Sequence, residues 1–130
     1  LARMPENHPM REDVIKNFQM QASGVARYQG KNGLWHQLLD KEDSYEEITG
    51  TAMFVFGIAR GVKEGWLHPD FIYVAEQGLK GMMKKITDNG DVTAICVGTP
   101  SGQRYTAAGW SQKTAIARKF GYFPSQIEHS

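Results

Sequence analysis

The segment "ITGTAMFVFGIARGVKEG" constrains the fold more than any other part of this 130-residue chain. Its apolar residues cover much of the circumference of a helix, and they are Ile48, Ala52, Met53, Phe54, Val55, Phe56, Ile58, Ala59 and Val62. A helix with so broad an apolar surface is buried on more than one side. The segment therefore predicts a helix that ends at Gly65 and needs several neighbouring helices to cover it.

Two further helices are predicted, one on each side of this segment in the sequence. The first opens at Pro9, which suits a first helical turn, and apolar residues then recur at spacings of three and four until about Gln29. The other, the third helix in chain order, is "WLHPDFIYVAEQGLKGMMKKITDNG", and Pro69 and Asp70 start it. Further on, "SQKTAIARKF" predicts one short helix.

The sequence also contains an internal repeat. The first helix is followed by "KNG" and the third by "DNG", and the glycines Gly33 and Gly90 are 57 positions apart. That spacing fits one helical hairpin with its connections. Repeated hairpins stack into solenoids or close into toroids, and each covers the flanks of the next. The repeat predicts an all-α chain whose exposed apolar helix faces need further sequence or self-association to bury them.

The segments between the helices carry the polar and aromatic groups. "LWHQLLD" is predicted to be an extended segment or a short strand, and "DVTAICVGT" is a second extended segment, rich in β-branched residues. In the polar loop "KEDSYEE", Asp43 or Ser44 is expected to cap the second helix, with Glu46 or Glu47 in its first turn.

Composition excludes several classes of function. A net charge of +1 gives no field that would attract nucleic acid or an anionic membrane, and no apolar run reaches the roughly 18 residues of a membrane span. The single Cys96 cannot form an internal disulfide, which favours a cytoplasmic location while a periplasmic one stays open. The four histidines show no paired spacing, which argues against a zinc site. "GTPSG" lacks the lysine of a phosphate loop and is interpreted as a turn.

Five blocks in order resemble the unsaturated rhamnogalacturonyl hydrolases of glycoside hydrolase family 105 and, more distantly, the unsaturated glucuronyl hydrolases of family 88. They are "GLWHQLLD", "DSYEE", "GTAMF", "ARGVKEGWL" and "CVGT", and the similarity covers roughly Pro5 to Thr99. The resemblance implies helical hairpins from an (α/α)6 toroid, present here as a partial barrel. Residues 1–110 would be the C-terminal part of that domain and residues 111–130 a divergent tail.

The resemblance also implies a reaction. Family members remove an unsaturated uronic sugar from the non-reducing end of an oligosaccharide, when an aspartic acid protonates the vinyl ether and water adds. No metal or organic cofactor is implied. The family's catalytic aspartate would precede Leu1, because none of Asp13, Asp40, Asp43, Asp70, Asp88 and Asp91 occupies its position. The chain is therefore expected to be a C-terminal piece that is inactive alone.

The residues expected to bind substrate are Trp35, Gln37, Ser44, Tyr45, Glu47 and Thr51. Trp35 is either a sugar-stacking platform or a plug of the hairpin, and Gln37 bonds either sugar hydroxyls or loop backbone. Glu47 as a general acid is an alternative that burial beside aromatic rings would favour. Cys96 is expected to be a small buried apolar residue. The alternative for the whole chain is a helical-repeat domain that binds a partner protein without catalysis.

Overall fold

A computed structural model describes residues 1–96 and contains three α-helices there. They are α1 (Arg11–Arg27), α2 (Ile48–Lys63) and α3 (Phe71–Met83). The described part has no strand, and its extended segments form only the isolated bridges His36–Glu46 and Ile86–Val92. The all-α class is confirmed. The short helix expected in "SQKTAIARKF", the turn at "GTPSG" and the tail 111–130 lie outside the described residues.

The ends of the helices fall close to the predicted ones. α1 begins at Arg11 rather than Pro9, and it ends two residues before Gln29. The predicted stop after α2 is confirmed, because Gly65 has a φ of +72°, the left-handed conformation that glycine adopts without a steric penalty. The two repeat glycines, Gly33 and Gly90, also have positive φ, at +89° and +83°.

Helices α2 and α3 form the closest pair, and glycines allow that approach. A Cβ atom added at Gly78 would collide with Val55 on α2, and one added at Gly61 would lie 2.7 Å from Cδ1 of Leu67, in the connection between the two helices. Helix α1 completes the core through Phe18 and Ala22. The central buried residues are Ala22, Ile58, Leu67 and Ala75, so the core lies where all three helices meet.

The connections between the helices gather at two ends. Residues 28–47, here called the first connection, lie beside residues 84–96, the second connection, because Lys85 Nζ is 2.8 Å from Glu46 Oε2. The amide of Ile48 also donates to the carbonyl of Ala94 at 2.9 Å. The short connection between α2 and α3 lies at the opposite end, where the Gln19 amide donates to Trp66 O at 2.8 Å. Both polar connections therefore share one end of the helices.

The prediction that Asp43 or Ser44 caps α2 is wrong. Glu47 is the N-cap residue, with an extended backbone at φ −117° and ψ 115°. The helix starts this late because the amide of Glu47 donates to Trp35 O at 2.9 Å, which keeps the preceding residues paired across the first connection. Asp43 is exposed, and Ser44 instead closes a turn inside the connection.

One face of α2 has no cover from the described residues. Met53 and Phe56 are 68% and 67% exposed, whereas Ile58, on the other side of the helix, is 3% exposed. The apolar breadth of this segment therefore exceeds what α1 and α3 bury, as its sequence predicted. Among the described helices, none has the length and apolar character needed to cross a membrane.

Candidate functional site

The first connection folds back on itself as a narrow two-stranded loop. The amide of Gln37 donates to Tyr45 O at 2.9 Å, and the amide of Glu47 donates to Trp35 O at 2.9 Å. In extended backbone successive side chains point to opposite faces. Trp35, Tyr45 and Glu47 are all buried on the face toward the helices, and we call this the inner face. His36 and Glu46 lie on the other, outer face.

Trp35 anchors the first connection to the helix core. Its side chain is 1% exposed, the indole Nε1 donates to Val25 O at 2.8 Å, and the ring meets Phe54 edge-on at 5.3 Å. Buried indole rings need this kind of hydrogen-bond partner. The geometry matches the predicted alternative in which Trp35 plugs the hairpin, because the ring has no face open to a sugar in this structure.

Thr51 links the first turn of α2 to the same anchor. Its hydroxyl accepts from the Trp35 amide at 3.1 Å and donates to Glu47 O at 2.7 Å. The side chain is fully buried. A buried hydroxyl with both a donor and an acceptor is satisfied, so Thr51 fixes the angle at which the connection enters the helix.

Glu47 holds the N-terminus of α2. Its carboxylate accepts from the amides of Thr49 at 2.8 Å and Gly50 at 2.6 Å, and it also accepts from the Thr49 hydroxyl. The amides at a helix N-terminus lack partners within the helix and carry partial positive charge. Glu47 supplies the missing acceptor. Its geometry is that of a helix cap, and no described group positions it for the alternative role of general acid.

Tyr45 and Gln37 form the polar part of the inner face. The Tyr45 hydroxyl donates to Gln37 Oε1 at 3.0 Å, and it also lies within hydrogen-bonding reach of Cys96 on the second connection. Burial raises the pKa of Tyr45 far above its usual range, and the neighbouring Cys96 and Glu47 raise it further. Tyr45 therefore remains a neutral hydroxyl, and Gln37, which is partly exposed, carries the network toward solvent.

Ser44 shapes the tip of the loop. Its hydroxyl donates to Lys41 O at 2.7 Å and accepts from the Leu38 amide at 3.2 Å. Such side-chain bonds to nearby backbone are typical of turns. The six predicted site residues are thus brought together on the first connection and the start of α2, and they hold the shape of that end.

The outer face carries an ion pair that the sequence reasoning missed. Glu46 receives the Lys85 ammonium on one oxygen and the Asn32 amide on the other. Burial acts to raise the pKa of Glu46, but the hydrogen bonds from Lys85 and Asn32 outweigh it, so the pKa is lowered. Local sequence patterns gave no signal for this pair, because Glu46 and Lys85 lie on different connections and the 57-residue repeat does not relate them.

The first and second connections hold no metal-binding cluster. Within residues 1–96, no group of three or more His, Cys, Asp or Glu side chains is arranged to hold a metal ion. Cys96 is a free, partly buried thiol. The chemistry that this end offers therefore consists of hydroxyl, amide and carboxylate groups, together with a peptide framework fixed by the buried Trp35.

Comparison with known proteins identifies relatives of this chain. A model of the family described as Glycosyl Hydrolase Family 88 matches residues 1–123. The chain is 32% identical over 98 residues to an unsaturated 3S-rhamnoglycuronyl hydrolase of Alteromonas sp. (strain LOR), covering 73% of this chain and 24% of that protein. It is 29% identical over 93 residues to the unsaturated rhamnogalacturonyl hydrolase YesR of Bacillus subtilis (strain 168), covering 71% and 25%.

The fold is similar to that of solved structures. A possible member of family GH105 from Salmonella enterica superimposes with a TM-score of 0.72 at 33% identity, over 78% of this chain and 27% of that one. The fold of this chain is therefore similar to that of part of a larger chain. The chain spans about a quarter of the length of the curated relatives it matches.

Proposed function

Because the chain belongs to glycosyl hydrolase family 88, we propose that it supplies part of the substrate pocket of a glycoside hydrolase that acts on unsaturated uronic-acid oligosaccharides. The observation that supports this most is the match to residues 1–123, which includes both connections. The reaction proposed for the whole enzyme is hydration of the vinyl ether at the non-reducing end, followed by release of the unsaturated sugar.

The names of the relatives support the substrate class. One is named an unsaturated 3S-rhamnoglycuronyl hydrolase and the other an unsaturated rhamnogalacturonyl hydrolase. Both names describe an unsaturated uronic residue attached to rhamnose. The same class of oligosaccharide is proposed for this chain, with polysaccharide degradation, including that of pectin, as the process it serves.

The burial of the six predicted residues suggests which of them hold the pocket in shape and which one contacts the sugar. Five of them, Trp35, Ser44, Tyr45, Glu47 and Thr51, are buried and hydrogen-bonded, so their proposed contribution is to hold the pocket surface in shape. Gln37 is partly exposed and is the member proposed to touch the sugar. Its Oε1 already accepts from Tyr45, which leaves the amide N–H groups to donate to a hydroxyl or carboxylate of the substrate.

The proposal excludes a proton donor among these residues. Glu47, the only acid of the six, is committed to the amides of Thr49 and Gly50. The catalytic group of the family is expected elsewhere in a longer domain, so the isolated 130-residue chain is predicted not to turn over substrate. Loss of vinyl ether absorbance on incubation with the purified chain would contradict this prediction.

A binding measurement tests the pocket itself. The chain, labelled with ¹⁵N, is titrated with an unsaturated rhamnogalacturonan disaccharide, and its saturated counterpart serves as the ligand control. Saturable amide shifts at residues 35–37 and 45–49 are expected with the unsaturated sugar, and Gln37→Ala should weaken them. Gln77→Ala, an exposed glutamine on α3, is the matched variant and should leave them unchanged. Equal shifts with both sugars, or none, would refute the proposed pocket.

The exposed face of α2 favours a second candidate role. Met53 and Phe56 form an apolar strip, and such a strip marks a protein contact. The chain would then be a helical-repeat interaction domain, or would associate with itself through this face. Sedimentation at increasing concentration tests self-association, and Phe56→Ser should abolish any concentration dependence. Phe56→Ser should have no effect on sugar binding if the glycosidase proposal holds.

A further inference from the structure

The outer face of the first connection borders a cleft that the proposed pocket does not use. The cleft encloses about 570 Å³ at the C-terminal end of α1, between residues 27–32 and residues 36–46. Protein sites for small molecules have volumes of roughly 300–1,000 Å³. The cleft lies on the side of the loop toward which His36 and Glu46 point, opposite the inner face.

The walls of this cleft are fixed by backbone bonds. The amide of Gly30 donates to Leu34 O at 2.8 Å, and the amide of Gly33 donates to Gly30 O at 2.8 Å. The Gln29 amide group donates to both Gly33 O and Val74 O, each at 2.9 Å. Because both ends of this turn are tied to the core, the cleft is preformed, and a ligand would pay little conformational entropy on binding.

The cleft offers the mixed apolar and polar contacts that a sugar requires. Tyr28 is half-exposed and presents an aromatic ring. His36 Nδ1 lies 2.6 Å from Ser44 O, and since a carbonyl oxygen only accepts, Nδ1 carries a proton. Nε2 of the neutral ring is then an acceptor for a hydroxyl. Sugars pair C–H faces with ring hydroxyls, so an aromatic ring beside hydrogen-bonding groups suits them.

The charges in the cleft balance. Arg27, Lys31, Asp40 and Glu42 line it, and within residues 1–96 none of the four belongs to an ion pair. The remaining acid, Glu46, is neutralised by Lys85. Two cations and two anions leave no net charge that would favour a carboxylate over an amine. An uncharged ligand with several hydroxyls fits this lining better than a uronate.

We propose that the cleft between residues 27–32 and 36–46 binds an uncharged pyranose ring, as a subsite for a neutral sugar. The choice of a sugar as the ligand class rests on the proposed function. The cleft itself is distinct from the inner face, so a neutral residue of an oligosaccharide, or of a neighbouring polysaccharide chain, binds there through Tyr28 and His36.

The test uses two small probes of matched shape and different charge. The ¹⁵N-labelled chain is titrated with methyl α-galactopyranoside, which is neutral, and separately with methyl α-galactopyranosiduronate, which is anionic and differs only at C6. Saturable shifts at residues 28–32, 36 and 40 are expected with the neutral probe, with a Kd on the order of 1–10 mM, as befits a single exposed subsite. The uronate should bind more weakly at the same signals.

Variants separate a binding role from a general effect on the fold. Tyr28→Ala should weaken the neutral probe by about fivefold or more, because it removes the aromatic surface. Tyr73→Ala removes another exposed tyrosine, on α3, and should leave the affinity unchanged. Absence of saturable shifts, equal binding of both probes, or an unaffected Tyr28→Ala variant would each overturn the proposal.

The test of the cleft can fail or succeed independently of the test of the proposed pocket on the inner face. An unsaturated disaccharide that shifts residues 35–37 and 45–49 while the neutral probe leaves the cleft unchanged would remove the subsite and retain the glycosidase function. The reverse pattern would retain a sugar-binding cleft and remove the proposed pocket on the inner face.

Discussion

The two connections at the shared end begin alike and end differently. Each follows a helix and contains an Asn-Gly turn, each glycine of these turns has positive φ, and each connection forms a single isolated bridge. In the first, Trp35 is 1% exposed. In the second, the bridge residues Ile86 and Val92 are each 39% exposed. Two similar turns therefore lead to one connection that is anchored in the core by a buried side chain and another whose bridge residues lie on the surface.

The difference comes from how closely a neighbouring helix packs against each turn. A Cβ added at Gly33 would collide with the backbone of Gln77 on α3, and one added at Gly81 would lie 2.5 Å from Asn32 O. The first connection is thus pressed against a helix. At Gly90 an added Cβ would meet nothing within 4 Å. Turn chemistry sets the direction of the chain, and the neighbouring helix decides which connection becomes a rigid part of the site.

The largest effect should come from removing the anchor of the first connection. Trp35→Ala is expected to destabilise the chain by about 3–5 kcal/mol, since it empties a fully buried site and removes the bond to Val25 O. Ile86→Ala, in the half-open second connection, should cost no more than about 1 kcal/mol. Urea denaturation followed by circular dichroism measures both. Similar losses for the two variants would contradict the comparison.

The two repeat glycines provide the next comparison. Gly33→Ala is expected to cost about 2–4 kcal/mol, because it combines a left-handed backbone with a collision against Gln77. Gly90→Ala carries only the left-handed backbone, so about 1 kcal/mol is expected. Urea midpoints of the two variants give the difference. If Gly90→Ala were as costly as Gly33→Ala, the second turn would be packed more tightly than its open surroundings indicate.

How much of this could be read from the sequence depends on the range of the interaction. The helices follow from apolar spacing, and the left-handed turns follow from Asn-Gly, because both signals are local. The cap of α2 could not be assigned in this way, since six acidic or hydroxyl residues precede the helix in residues 42–47. Pairing of Glu47 with Trp35 O decided among them, and that contact spans the whole connection.

The same distinction between local and long-range signals applies to the candidate site. That the six predicted residues lie close together was predictable, because they cluster within Trp35–Thr51. Their orientation was not, since a one-residue change of register exchanges the inner and outer faces. Trp35 was expected as a sugar platform or a plug, and only its bond to Val25 O distinguishes the two. The ion pair of Glu46 with Lys85 joins residues from different connections, which no local pattern reveals.

The caps of α2 and α3 allow a finer test of how firmly the first connection holds its helix. Glu47→Ala should cost about 1–2 kcal/mol, because the amides of Thr49 and Gly50 lose a buried acceptor. Asp70, the N-cap of α3, makes no capping bond with its side chain, so Asp70→Ala is expected to cost less than about 0.5 kcal/mol. Thermal denaturation of both variants is the measurement. A larger loss for Asp70→Ala would contradict the assignment of Glu47 as the functional cap.

The smallest expected effect concerns the ion pair that joins the two connections. Lys85 and Glu46 are partly buried, with side chains 28% and 21% exposed, and their charged atoms lie 2.8 Å apart. Lys85→Met should remove about 0.5–1 kcal/mol of stability at pH 7. Lys84→Met changes the adjacent, exposed lysine, for which no ion pair exists among the described residues, and it should have almost no effect.

The pH dependence of the stability lost in Lys85→Met identifies Glu46 as the partner of Lys85. Its pKa in the folded chain is lowered, chiefly by Lys85 and Asn32 acting against burial. A lowered pKa stabilises the fold above the usual range of a glutamate and ceases to do so as pH falls through the folded value. The difference in stability between the wild-type chain and Lys85→Met should therefore be full at pH 7 and should shrink as pH falls below the usual range of a glutamate. A difference that did not change with pH would mean that the methylene stem of Lys85, rather than its charge, holds the second connection against the first.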